Sequence, residues 1–311
     1  MSSISRRQFL GFGVMGAAAL ALAACSNKND SQASSSTSTS SAATAAPTDA
    51  NSQRVVALGA GQTADLLELG ILPVGIALPD GETTVPQYLR DAYGSKFDLD
   101  SIKLVGSRTA PDFVAISDLK PTRIYAAADT DPQLLSSLRA ITAVTTTDNV
   151  PANWRDNLLT IAEAVGKKTE AQKKIDLYSS DVQAISKKLS SPAPTVSFLQ
   201  SLNPIFALAG ASSMPGLVAA DCGLARPDNQ NFTDAPTHPL QPADMIQADA
   251  QWLYYGVAAG SVSPTTDPTW TSLGAVHNNQ AVAVDFDLWF IEPSLLAANS
   301  ILGTFKEGPA K

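Results

Sequence analysis

Histidine and cysteine are scarce in this chain, two of each in 311 residues. His238 and His277 stand far apart, which argues against a direct metal-ion site of the kind built from several imidazoles and carboxylates; no metal-ligating set is expected. Cys222 has only Cys25 as a possible partner, and Cys25 is assigned another use below, so no internal disulfide is expected. Nothing near Cys222 marks a nucleophile, and it reads as a small buried hydrophobe. Cations are the scarcer charge: 21 Lys plus Arg against 29 Asp plus Glu, a formal charge of −8. That balance argues against nucleic acid and against broad adhesion to anionic lipid. The chain also lacks GxSxG and HExxH, so no catalytic residue is nominated and the chain is not expected to be an enzyme. A GxxxxGK[ST] phosphate loop is missing too, so energy from nucleotide hydrolysis must come from another protein.

What is present begins with an export signature. Arg6 and Arg7 precede an apolar run from Phe9 to Ala24 that is short for a bilayer span and ends in small residues. "SRRQFL" resembles the twin-arginine export consensus, a receptor-read address. "LAAC" (Leu22 to Cys25) resembles a bacterial lipobox. Residues 1–24 are accordingly expected to be removed, leaving Cys25 as a lipidated N-terminus, and the loss of two arginines takes the charge from −8 to −10. Residues 25–53, nearly all Ser, Thr, Ala, Asn and Asp after the cysteine, cannot bury a core and read as a disordered tether. A flexible chain of that length reaches roughly 30 Å.

From Arg54 the pattern alternates. "RVVAL" (Arg54 to Leu58), "LPVGIAL", Lys103 to Val105, "RIYAAA" and "ITAVTT" read as strands. Between them, apolar periodicity predicts helices over Ala64–Leu69, Pro111–Leu119 and Pro132–Leu138. Such alternation implies an α/β layer with a mainly parallel sheet over residues 54–150. Residues 151–192 are helical throughout. Thr169 and Gln172 have capping-box spacing, and a helix from Thr169 to Ser190 would be about 33 Å long. Residues 193–311 return to alternation, with "TVSFL", "IFALA", "WLYYGV" and "AVAVDF" as strands and Met214–Cys222 and Pro293–Phe305 as helices.

Five stretches carry a resemblance: "RVVALGAGQTADLLELGILPVGIA", "VGSRTAPDFVAISDLKPTRIYAA", "AEAVGKKTEAQKKIDLY", "MPGLVAADCGLARPDNQ" and "DPTWTSLGAVHNNQAVAVDFDLWF". In this order, behind a signal and tether, they resemble the periplasmic-type binding proteins of iron–siderophore importers, with their haem- and cobalamin-binding relatives. The resemblance covers about Arg54 to Phe305. It implies two Rossmann-like α/β lobes joined by a single long backbone helix, the type III periplasmic binding protein fold. The implied cargo is a ferric siderophore held between the lobes, with no resident cofactor. The implied partners are a membrane permease with its ATPase. The chain would be a monomer anchored by lipid to the outer face of the cell membrane.

Ligands of open α/β sheets sit beyond the carboxyl ends of the strands, which nominates candidates. Arg108, in "SRTAPD", matches the Arg of an "LRTEPN"-like loop in hydroxamate-binding relatives, and a guanidinium is a rigid fork of donors for chelate oxygens. Gln62 lies in the turn after the first strand. Asp129 stands where hydroxamate binders can carry Tyr. Gln200 and Asn203 could donate hydrogen bonds or only shape a turn; Tyr255 could face either side of its strand; Trp289 could face ligand or core. Relatives dock through a Glu on each lobe, positions that here are Val114 and Ala243, with Asp112 and Asp244 close by as substitutes. Haem binding stays open through Tyr125, Tyr254 and Tyr255 as axial ligands, cobalamin binding stays open as well, and a membrane-anchored envelope hydrolase is a further alternative.

Overall fold

The structure, a computed structural model, describes residues 53–79 and 82–311. Arg6, Arg7, Cys25 and the tether as far as residue 52 lie outside the described residues. Gln53, grouped with the tether by composition, is buried and donates its side-chain amide to the Val165 carbonyl at 3.1 Å. Gln53 is therefore packed against the folded part rather than belonging to the tether.

The first sheet contains β1 (Val55–Ala57), β2 (Gly75–Leu78), β3 (Lys103–Ser107), β4 (Arg123–Ala127) and β5 (Val144–Thr147), in the order β3-β2-β1-β4-β5, all parallel. β1 is central and wholly buried, which is why its sequence is a continuous apolar run without alternation. Helices α1 (Ala60–Glu68), α2 (Gln87–Tyr93), α3 (Phe113–Asp118) and α4 (Pro132–Ile141) cover it. The chain winds one way from β1 to β3 and the other way from β4 to β5. This reversal beside β1 creates a crevice at the carboxyl edge, where ligands of such sheets bind.

α5 (Trp154–Ala164) follows, and the chain turns through Gly166, at φ 74°, into α6 (Lys168–Ser186). Lys167 N donates to Ala162 O and Gly166 N to Glu163 O, the paired bonds of a Schellman end. The expected capping box is not formed. Because α6 starts directly after that turn, Thr169 already lies inside the helix, the N-cap is Lys167, and Gln172 donates instead to Asp176 at 2.9 Å. α6 is also shorter than expected, 19 residues, or about 28 Å. Its last buried residue is Ile185; the chain then leaves the helix in a turn in which Lys188 N donates to Ile185 O, and Leu189 packs against the core from outside the helix.

The second sheet contains β6 (Val196–Leu202), β7 (Ile205–Ala209), β8 (Thr237–Leu240), β9 (Trp252–Val257) and β10 (Ala281–Val284), ordered β10-β9-β6-β7-β8. It is mixed. β6 pairs antiparallel with β7, and β7 with β8. Only Asn203 and Pro204 separate β6 from β7, a connection too short for a parallel crossover. Helices α7 (Met214–Cys222), α8 (Gly274–His277), α9 (Phe286–Phe290) and α10 (Leu295–Glu307) complete this half. α10 begins two residues later than the sequence reading placed it, because Ser294 caps it by accepting from Ala297 N.

One core runs through both halves. Leu66, Trp154, Tyr178, Val218, Ile301 and Phe305, from α1, α5, α6, α7 and α10, belong to the same buried cluster. Each fully buried aliphatic or aromatic side chain there contributes about 1.5–3 kcal/mol. Glu68 ties three helices at the rim, accepting from Tyr93 Oη on α2 at 2.8 Å and from Lys174 Nζ on α6 at 2.7 Å. The lobes are thus joined through packed helices rather than a loose linker.

Candidate functional site: an inter-lobe cleft around Arg108

Arg108 sits at the tip of a tight turn after β3. Gly106 opens the turn at φ 87°, and a Cβ there would come within 2.5 Å of the Ala110 carbonyl, so only glycine fits. Ser107 N donates to Ala110 O at 3.3 Å, and Ala110 N donates to Ser107 Oγ at 3.2 Å. Arg108 N is fixed to the Leu78 carbonyl of β2. The backbone is therefore held while the side chain, 44% exposed, lines the cleft.

Opposite stands Glu292, from the loop before α10. Its Oε1 lies 4.0 Å from Arg108 Nη1, the outer limit of an ion pair, and its Oε2 accepts from Gly61 N at 3.3 Å. A Cβ on Gly61 would meet the Pro293 carbonyl at 2.7 Å, so this glycine lets the loop of one lobe approach the start of α1 in the other. Burial pushes the Glu292 carboxyl above the ordinary range, opposed by the Gly61 amide and by Arg108. Asp65, buried inside α1, accepts from Leu295 N at 3.2 Å and is also raised, chiefly by burial.

Gln62 forms the floor. It is buried and donates Nε2 to Thr147 Oγ1 at 2.8 Å, while its Oε1 has no hydrogen-bond partner among the described residues. Gln62, Arg108, Thr147, Asp148, Asn149 and Glu292 line one crevice. Arg108, Asp129 and Asp131 line an adjoining cavity of about 290 Å³. Asp129 is exposed and accepts both hydrogen bonds of Asn149 Nδ2, at 3.0 and 3.1 Å.

Three expected residues, Arg108, Gln62 and Asp129, are therefore brought together. The second-lobe candidates are not. Trp289 is 2% exposed and packs among Phe198, Tyr254 and Phe305, which makes it a core residue. Tyr255 is half-buried edge-on to Trp270, with ring centroids 4.9 Å apart, on the side of β9 away from the shared core. Gln200 is buried in β6, and Asn203 is the exposed first residue of the β6–β7 hairpin, its N donating to Ser261 Oγ; neither lines the cavities around Arg108. Tyr125 and Tyr254 are fully buried.

The docking candidates are both exposed. Asp112 caps α3, accepting from Val114 N and Ala115 N. Asp244 lies in a 3₁₀ turn over Pro242–Ala248. Sequence reasoning missed Glu292 altogether. Its one signal was a carboxylate next to proline between two apolar helices. Among the described residues, no helix is long and apolar enough to cross a membrane, and no group of three or more His, Cys, Asp or Glu could hold a metal ion.

The family model described as periplasmic binding protein matches residues 55–288, which spans both sheets and the first-lobe side of the cleft. The chain belongs to the periplasmic binding protein family. It is a substrate-binding protein, not an enzyme. The "Probable siderophore-binding lipoprotein YfiY" of Bacillus subtilis is 29% identical over 81% of this chain and 81% of its own length. The "Fe(3+) dicitrate-binding periplasmic protein FecB" of Escherichia coli is 26% identical over 80% of this chain and 82% of its own. Staphylococcus aureus SirA complexed with staphyloferrin B superposes with a TM-score of 0.69, covering 82% of this chain and 92% of that one at 22% identity. That last likeness establishes the two-lobed fold.

Proposed function

We propose that the chain captures a ferric siderophore in the inter-lobe cleft and hands it to an importer made of a membrane permease and its ATPase. The observation that carries this reading is Arg108: a strongly donating side chain on a backbone built to present it, paired only at the outer limit of ion-pair distance. Ferric chelates expose a shell of oxygen acceptors, and a guanidinium can fork across two of them. The names of the relatives support the same cargo. Gln62 lies at the floor and Asp129 beside the guanidinium. Gln200 and Asn203, at the carboxyl end of β6, would meet the ligand's other side on closure. Arg6, Arg7 and Cys25 would export and lipidate a monomeric chain, held on the outer face of the membrane. Asp112 and Asp244 are the residues offered to the permease.

The test is a titration followed by tryptophan fluorescence, with ferric chelates, haem and cobalamin as ligands and iron-free chelators as controls. Saturable quenching by a ferric chelate is expected, with affinity falling about 10- to 100-fold in Arg108→Ala, the loss of a charged hydrogen bond worth about 1.5–3 kcal/mol. Absence of binding by every ferric chelate, checked by calorimetry on folded protein, would remove the reading.

A further inference from the structure

The cleft is short of positive charge. Among the described residues that line the crevice and the adjoining cavity, Arg108 is the one cation, against five carboxylates: Asp65, Asp129, Asp131, Asp148 and Glu292. Glu292 stands against Arg108, so those two roughly cancel. Asp65 is buried, its carboxyl pKa raised by that burial, and accepts from Leu295 N; the other three carboxylates have only neutral partners among the described residues. Asp129 takes the Asn149 amide, Asp131 caps α4 through Gln133 N and Leu134 N, and Asp148 takes Val150 N and the Asn153 amide. Amide hydrogen bonds stabilise a carboxylate without cancelling its charge.

An independent observation concerns hydrogen-bond polarity. Gln62 is only 7% exposed, lines the crevice, and has its Oε1 without a partner among the described residues. A buried acceptor in that position calls for a donor from the ligand, such as an amide N–H or an ammonium group.

We propose, resting on the siderophore-capture reading, that this cleft selects ferric chelates of zero or positive net charge, because Asp129, Asp131 and Asp148 line it without a counter-ion and Gln62 Oε1 awaits a donor. The chemistry separates hydroxamates from catecholates. Three singly charged hydroxamates cancel a ferric ion, whereas three doubly charged catecholates leave a trianion. A linear trishydroxamate also carries amide N–H groups in its linkers, and a terminal ammonium adds one positive charge. Such a ligand supplies the donors that the cleft lacks, while a trianion would sit against three like charges.

The probes share one iron centre. Full-length chain in detergent is titrated with a linear ferric trishydroxamate bearing a free terminal ammonium, with its neutral N-acetyl derivative, and with its anionic N-succinyl derivative. A ferric tris-catecholate is the fourth ligand. The expected affinity order is ammonium, then acetyl, then succinyl, spanning about tenfold, with the tris-catecholate weakest. Raising the salt from about 50 mM to about 500 mM should compress that span, since screening shortens the reach of charge. Asp129→Asn with Asp131→Asn should flatten it too; Asn caps a helix as Asp does, and thermal unfolding checks the fold. A flat or reversed order in the parent protein, or tightest binding of the tris-catecholate, would overturn the inference and leave siderophore capture standing. No saturable binding by any ferric chelate would overturn both.

Discussion

Arg108 and Glu292 approach the cleft from opposite lobes, and they are held in opposite ways. Arg108 rides on a turn whose backbone is fixed and whose side chain is 44% exposed; the Glu292 side chain, on an irregular loop, is only 15% exposed. The contrast extends to the lobes behind them. The first lobe sends Gln62, Arg108, Asp129 and Thr147 to the cleft from the carboxyl ends of parallel strands. The second lobe turns its aromatic residues inward. Phe198, Tyr254, Trp289 and Phe305 stack on one another, and only Glu292 and Pro293 of that half line the crevice. One lobe supplies chemistry, and the other supplies a packed wall with a single carboxylate at its edge.

That comparison can be broken most forcefully at Trp289. If it is a packing residue, Trp289→Ala should cost about 3–5 kcal/mol, read as a lower Tm; a loss of ligand affinity with unchanged Tm would return it to the site. A smaller effect is expected at Asp65, which joins the lobes through Leu295 N. Its carboxyl is raised in the folded state, so the folded protein holds that proton more tightly than the unfolded chain does. The stabilisation it gives is full below the unfolded value of about 4 and is lost as pH rises through the folded value. Asp65→Asn cannot ionise and still offers an acceptor to Leu295 N. Measured as Tm against pH, the variant should gain on the parent as pH rises from about 4 toward neutrality. A pH-independent difference would show that Asp65 does not titrate as buried.

The smallest effects concern the outer surface. Asp112→Ala removes a helix cap and should cost about 1 kcal/mol, whereas Asp244→Ala, which caps nothing, should stay within about 0.5 kcal/mol. If Asp244 meets the permease, its variant should lower ligand uptake in cells while leaving binding by the purified protein unchanged. Unchanged uptake would remove it from the docking surface.

Much of this molecule is legible without coordinates. β1, β2 and β4 stand out as continuous apolar runs because both faces of the sheet are covered. α7 falls over the whole of Met214–Cys222, where the serine before it and the glycine after it mark the ends. The turn that presents Arg108 is readable as small residues framing a lone cation. α2, β8, α8 and α9 are absent from the sequence reading; β8, "THPL", has neither an apolar run nor an alternation to mark it. The end of α6 lies before the expected limit because Pro192 marks where a helix cannot continue, not where the chain first turns out of it.

The sequence by itself determined the family, the order of elements and the residues at the ends of the first-lobe strands, since periodicity, glycine and proline act over a few neighbours. Only the tertiary structure decided which face of β9 Tyr255 takes, that Trp289 is core, and that Glu292 meets Arg108. Those outcomes depend on side chains far apart in sequence, Glu292 and Gly61 being 231 residues apart. Local pattern fixes what a strand end can offer, and the packing of one lobe on the other fixes what it faces.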